Sequence, residues 1–208
     1  MGPVGIVAAL IIVGANLLVA PLGAILVLVW KWIARVPWAD IGFRRPRSWT
    51  LTIAGGIIAG IIFKLLMKAL IMPLLGGPAV NPAFHSIAGN TGQMISFIFA
   101  SIIVAGFGEE IVYRGFLFNR LWRAFGESSA ATAGIVIATT ILFGLIHIPE
   151  QGWAGAEQAF FTGAAFGTIY AMTRSLWLPI ATHAAFDITA VLLIYFRLEA
   201  TVAHSILG

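Results

Sequence analysis

Long stretches of this chain run apolar without interruption or alternation, residues 53–62 and 95–104 among them. Crossing a bilayer as helix takes about 20 such residues. In hydrocarbon every backbone N–H and C=O must be bonded within the protein, which leaves helices or a closed barrel. Barrel strands alternate in polarity and these runs do not. The expected fold is therefore an all-α, polytopic transmembrane helical bundle of six to eight helices, in a single domain over residues 1–208. Composition agrees, with 60% hydrophobic and only 10% charged residues, against roughly 25% charged in soluble domains.

Six main spans are expected, at 4–29, 51–75, 93–121, 131–148, 159–172 and 176–196. The first has no basic stretch before it and is too long for a signal peptide's apolar region, so it reads as a retained helix, with a break near Asn16 or Pro21. The fifth is short, which suits a tilted or re-entrant element, or one that also takes in Trp153. Lys31, Arg35, Arg44, Arg45 and Arg47 fall in one connection, Arg120 and Arg123 in a second, and Arg174 in a third. Connections 76–92 and 149–158 carry no Lys or Arg. With six spans the basic connections share one side, cytoplasmic by the positive-inside rule, in a multi-pass protein of the cell membrane. Trp30, Trp32, Trp38, Trp49, Trp122 and Trp177 sit near span ends, as an interfacial aromatic belt would.

Membrane lipids are the expected surroundings, and no basic stripe interleaved with aromatics suggests nucleic acid. Oligomeric state is open. The chain has no cysteine, which excludes thiol nucleophiles, disulfides and thiolate metal sites. Gly55, Gly56 and Gly60, and Gly163 and Gly167, make small faces suited to close helix contact. Lys64 and Lys68 share one face of the second span, either snorkelling to the outer headgroups or taking a pairing or substrate-facing role.

The informative residues are ionisable groups inside apolar runs, since each must face a partner or a wet cavity. Glu109, Glu110 and Arg114 stand in FGEEIVYRGF. Glu110 and Arg114 are one helical turn apart and can pair, while Glu109 points about 100° away and is free to face a cavity. His147 follows Phe143 by one turn in the fourth span. His183 and Asp187 share a helix face in the sixth, where Asp187 can accept from the imidazole and set its tautomer. Counted from the basic ends at 1.5 Å per residue, Glu109 and His183 lie at about 17 and 14 Å, whereas His147 lies about 24 Å from Ala131 and matches less well.

There is no HExxH and no GxSxG, and neither Ser96 nor Ser101 has a base beside it in sequence. A carboxylate can instead polarise a water that attacks an amide carbonyl, with His147 sharing the proton and His183 with Asp187 stabilising the oxyanion. Glu109, His147 and His183 also make an acceptable zinc ligand set, with water in the fourth place. Spacing does not separate the metal-free route from the zinc route.

Taken together, EExxxR (Glu109, Glu110, Arg114), FxxxH (Phe143, His147) and HxxxN/D (His183, Asp187) resemble the CAAX prenyl endopeptidase type II and bacteriocin-processing family. The motifs span 109–187, and the flanking helices match more loosely. The resemblance implies a metal-independent, glutamate-type intramembrane peptidase without cofactor. Its catalytic residues would be Glu109, His147, His183 and Asp187, supported by Glu110, Arg114 and Phe143. Its substrate would be a peptide or protein, prenylated or membrane-anchored. Asp187 stands where the eukaryotic prenyl-protein enzymes carry asparagine, which weakens transfer of prenyl specificity. Two other classes stay open: a non-enzymatic membrane scaffold or bacteriocin-immunity protein, and a zinc-dependent membrane metalloprotease.

Overall fold

A computed structural model describes residues 7, 11–12, 14–15 and 20–207. Among them every regular element is a helix, with no strand. The elements are α1 (Ala20–Ile33), α2 (Trp49–Leu74), α3 (Thr91–Phe125), α4 (Ser129–Leu145), α5 (Ile148–Thr173), α6 (Trp177–Tyr195) and α7 (Glu199–Leu207). Helices α2, α3 and α6 are each long and apolar enough to cross a membrane. A break near Asn16 falls outside the described residues, whereas Pro21 stands in the first described turn of α1.

The outside of the bundle is as apolar as its inside. Leu51, Ile58 and Ile62 of α2, Phe99 and Ile103 of α3, and Ile137 and Ile141 of α4 all point outward and are exposed. Water would not tolerate a continuous surface of this kind, and lipid does. Helix starts are set by side chains that satisfy otherwise orphaned N–H groups: Ser48, Asn90 and Ser128 accept from the amides of Leu51, Gln93 and Ala131.

Helices α2 and α6 pack through missing side chains. A Cβ on Gly56 would lie 2.6 Å from that of Ala181, and one on Gly60 would overlap the Thr182 carbonyl oxygen. Gly163 abuts Thr140 and Phe143 across the α4–α5 contact, and Gly167 faces Phe118 and Val136. These small faces serve packing within the chain, but Gly55 meets nothing within 4 Å and is not part of one.

The three basic connections meet at one end of the bundle. Arg174 pairs with Glu127 at 3.1 Å, Arg123 with Asp40 at 3.4 Å, and the Leu176 amide donates to the Gly42 carbonyl at 2.8 Å. The aromatic cluster lies at the same end, with Trp177 at 5.3 Å from Phe43 and 5.0 Å from Trp49, ring centroid to centroid. Trp122 departs from the belt: it is buried against Tyr170, under the Arg174 guanidinium.

Two expectations need correction. Residues 149–158 are not a connection but the first part of α5, which bends at Gly152 (φ 65°) and includes Trp153. Lys64 and Lys68 do not snorkel, because Gln158 and Glu199 supply partners inside the bundle. The chain after residue 196 turns back as α7, a nine-residue helix too short and mixed in polarity to stand out as a span.

Substituting alanine at Gly60 should destabilise the bundle by about 1–3 kcal/mol, the usual cost of overpacking. The same change at Gly55 should stay within about 0.5 kcal/mol. Thermal unfolding of the two variants in one detergent compares them directly.

Candidate active site

The polar residues of α3 sit where that helix is least regular. Two stretches, Ser101–Glu109 and Ile111–Leu117, wind with the wider i→i+5 turn. Glu109 ends the first, and Glu110 stands between them. Wide turns of this kind recur at functional sites.

Glu110 is fully buried, and one of its oxygens, Oε1, accepts two hydrogen bonds. Arg114 Nη1 donates from one turn along at 2.8 Å, and His183 Nδ1 from α6, also at 2.8 Å. Arg114 Nη2 donates to the Gly163 carbonyl on α5 at 3.2 Å. Its guanidinium lies over Phe143 at 4.7 Å and near Phe166 at 5.7 Å. The His183 ring packs against Phe166, centroids 4.7 Å apart, and lies 6.1 Å from Phe143. Helices α3, α4, α5 and α6 are thus locked around one buried ion cluster.

This arrangement revises one expected role. His183 is oriented by Glu110, across the bundle, and its other nitrogen Nε2 reaches Asp187 Oδ2 only at 3.5 Å. Asp187 is therefore a looser partner than its position four residues along the same helix face suggests.

His147 is not in a span. Helix α4 ends at Leu145, and His147 occupies the tight turn into α5, with Pro149 in that helix's first turn. Its Nδ1 lies 2.7 Å from the Phe143 carbonyl. A carbonyl only accepts, so Nδ1 carries a proton and Nε2 is the nitrogen left to act as a base. The Phe143 ring is 4.7 Å from this imidazole, so Phe143 packs against both histidines. Depth counted along the sequence set His147 apart, yet it is an electrostatic neighbour of Glu109.

Glu109 is half-buried, and its Oε2 is shielded from solvent without a hydrogen-bond partner among the described residues. Its electrostatic neighbours are His183, His147, Asp187 and Glu110. Glu109 is thus within electrostatic reach of the other three candidate catalytic residues, and its Oε2 is left unspent. Ser96 and Ser101 only bond back to the Gly92 and Phe97 carbonyls of their own helix. Among the described residues no three His, Asp or Glu side chains are grouped as ligands of one metal ion. His183, one of the three proposed zinc ligands, already has Glu110 on Nδ1 and Asp187 facing Nε2.

A cavity of about 240 Å³ lies beside the cluster, bounded by α2, α3, α5 and α6 and by residues of the 75–90 connection. Asp187 is on its wall, whereas Glu109, His147 and His183 are not. Sequence reasoning did not find Phe166, the Gly163 carbonyl or the link from Glu110 to His183. The last joins residues 73 apart in the chain, and no local spacing reports it.

Comparison with known proteins agrees with the motifs. Residues 91–189 match the Rce1-like family, described as type II CAAX prenyl endopeptidase Rce1-like. That stretch contains all three motifs, so the family resemblance is borne out there. Over 148 residues the chain is 23% identical to the membrane-embedded CAAX protease MroQ of Staphylococcus aureus (strain USA300). The match covers 71% of this chain and 53% of that protein, so the chain spans about half the length of its curated relative. No solved structure matches.

Removing Arg114 leaves Glu110 buried with one donor fewer. Arg114→Met should lower stability by about 3–5 kcal/mol, as for other broken buried pairs. Denaturant titration in detergent measures this, and an unchanged midpoint would show that the pair does not hold the helices.

Proposed function

We propose that this chain is an intramembrane endopeptidase that hydrolyses a peptide bond with water activated by Glu109 and His147. Its substrates would be membrane-associated or lipidated peptides or proteins, and it would act in the cell membrane with its basic end at the cytoplasmic face. Similarity to the CAAX protease family supports the reaction class. One observation carries the mechanism: a buried, unbonded carboxylate oxygen on Glu109 stands among two imidazoles that are each anchored through Nδ1.

The chemistry follows from those anchors. A water between Glu109 and His147 gives a proton to the carboxylate as its oxygen adds to the scissile carbonyl carbon. The Nε2 of His147, left as the basic nitrogen because Nδ1 donates to the Phe143 carbonyl, is the second acceptor at this step. His183, with Nδ1 bonded to Glu110, turns Nε2 toward the developing oxyanion and donates to it when protonated there. The tetrahedral intermediate collapses, the C–N bond breaks, and the proton on Glu109 or His147 passes to the leaving amine. The hydroxyl stays on the acyl product. Asp187 faces both the cavity and His183, a place suited to the peptide backbone beside the scissile bond. Glu110, Arg114 and Phe143 position the others and take no proton.

No cofactor is needed for this route. The zinc route remains a distinct chemistry, tested by metal content and chelator response of the purified protein. A scaffold or immunity role predicts that biological activity survives loss of Glu109 and both histidines.

Glu109→Gln should lower cleavage of any substrate by about a thousandfold, the middle of the 10²–10⁴ span typical for general acid–base catalysis. Its unfolding temperature should stay near wild type, because Glu109 Oε2 holds no hydrogen bond. Retained cleavage in that variant would overturn the assignment.

A further inference from the structure

The cavity beside Asp187 has a largely apolar wall interrupted by a few charged and amide side chains. Three of its four charged side chains are matched internally. Lys68 pairs with Glu199 at 3.3 Å, and Glu199 also accepts from the Asn81 amide at 3.0 Å. Asp187 faces His183.

Lys64 is different. It is only 6% exposed, yet it forms no ion pair among the described residues. Its Nζ donates to Gln158 Oε1 at 2.7 Å and stands 4.8 Å from the centroid of the Phe186 ring. Asp187 and Glu199 act on it only from a distance. Lys64 and Gln158 both line the cavity. An ammonium has three donors, and Gln158 uses one. Gln158 spends its oxygen on Lys64, and its NH₂ group makes no hydrogen bond among the described residues. A buried cation of this kind is costly without a counter-ion, and an arriving anion would supply one. The apolar wall favours an anion carried on an apolar chain, and Asp187, on the same wall and facing His183, links that chain to the peptidase site.

We propose that Lys64, with the amide of Gln158, is a specificity-determining residue that binds a carboxylate of the substrate peptide. The carboxylate is the free C-terminus or an Asp or Glu side chain, held in the cavity while the neighbouring backbone passes Asp187. The proposal rests on the peptidase reading, and it names which end or side chain of the substrate the site selects.

Peptide binding to the full chain carrying Glu109→Gln, in lipid nanodiscs, tests it independently of cleavage. The probes are three fluorescent pools of apolar decapeptides: free acids, C-terminal amides, and amides with one internal glutamate. Peptides with a carboxylate should bind at least about tenfold tighter than plain amides, the scale of one charge-assisted hydrogen bond. Preference for the free acids assigns the C-terminus, and preference for the internal-glutamate pool assigns a side chain. Adding Lys64→Met should erase the preference, and Lys64→Arg should keep it. Equal binding of all three pools, or binding of none, overturns the proposal without any Lys64 variant having to fold. An undiminished preference in Lys64→Met overturns it as well. If the preference is found but the chain with Glu109 intact cleaves no pool, the peptidase reading falls and the carboxylate site stands.

Discussion

A single oxygen, Glu110 Oε1, holds the centre of this bundle together by accepting from Arg114 on its own helix and from His183 on α6. Through Arg114 the same cluster reaches the backbone of α5. In an apolar interior none of these groups can exchange its partner for water, so each bond is close to obligatory. The freedom of Glu109 follows from the commitment of Glu110. Neighbours on one helix face different directions, so one carboxylate can be structural while the adjacent one is left for chemistry.

Much of this was readable from local spacing. The Glu110–Arg114 pair, the free Glu109, and the meeting of the basic connections at one end all follow from helical periodicity and from the cost of charge in lipid. What spacing could not supply was any contact made by the folding of distant segments onto one another. Spacing pairs His183 with Asp187, four along, yet the shorter bond runs to Glu110. Lys64 and Lys68 invited a snorkelling reading for the same reason, since their partners Gln158 and Glu199 stand on helices far along the chain. Residues 149–158 looked like a connection because Pro149, Glu150, Gln151, Gly152 and Gly155 lower their apolarity, although proline is at home in a helix's first turn.

The two ends of the bundle differ in kind. One is basic and aromatic, with guanidinium groups paired or stacked on rings. The other is closed by α7 and the 75–90 connection, through the Asn81–Glu199 bond and the Gly89–Tyr195 backbone bond. The candidate site lies between them, with its adjoining cavity bounded partly by this second closure.

The wide turns of α3 set the angle at which its far half meets the neighbouring helices. Each i→i+5 turn accommodates more residues than the ordinary 3.6 without lengthening the span in proportion. Residues beyond such a stretch therefore stand at a different angle about the axis than a regular helix of the same length would give them. A residue lost from the regular turns before Ser101 would rotate everything beyond by about 100° and swing Glu110 off His183, even though every named side chain survived. The phase of the chain is thus as much a part of the site as its acids and imidazoles.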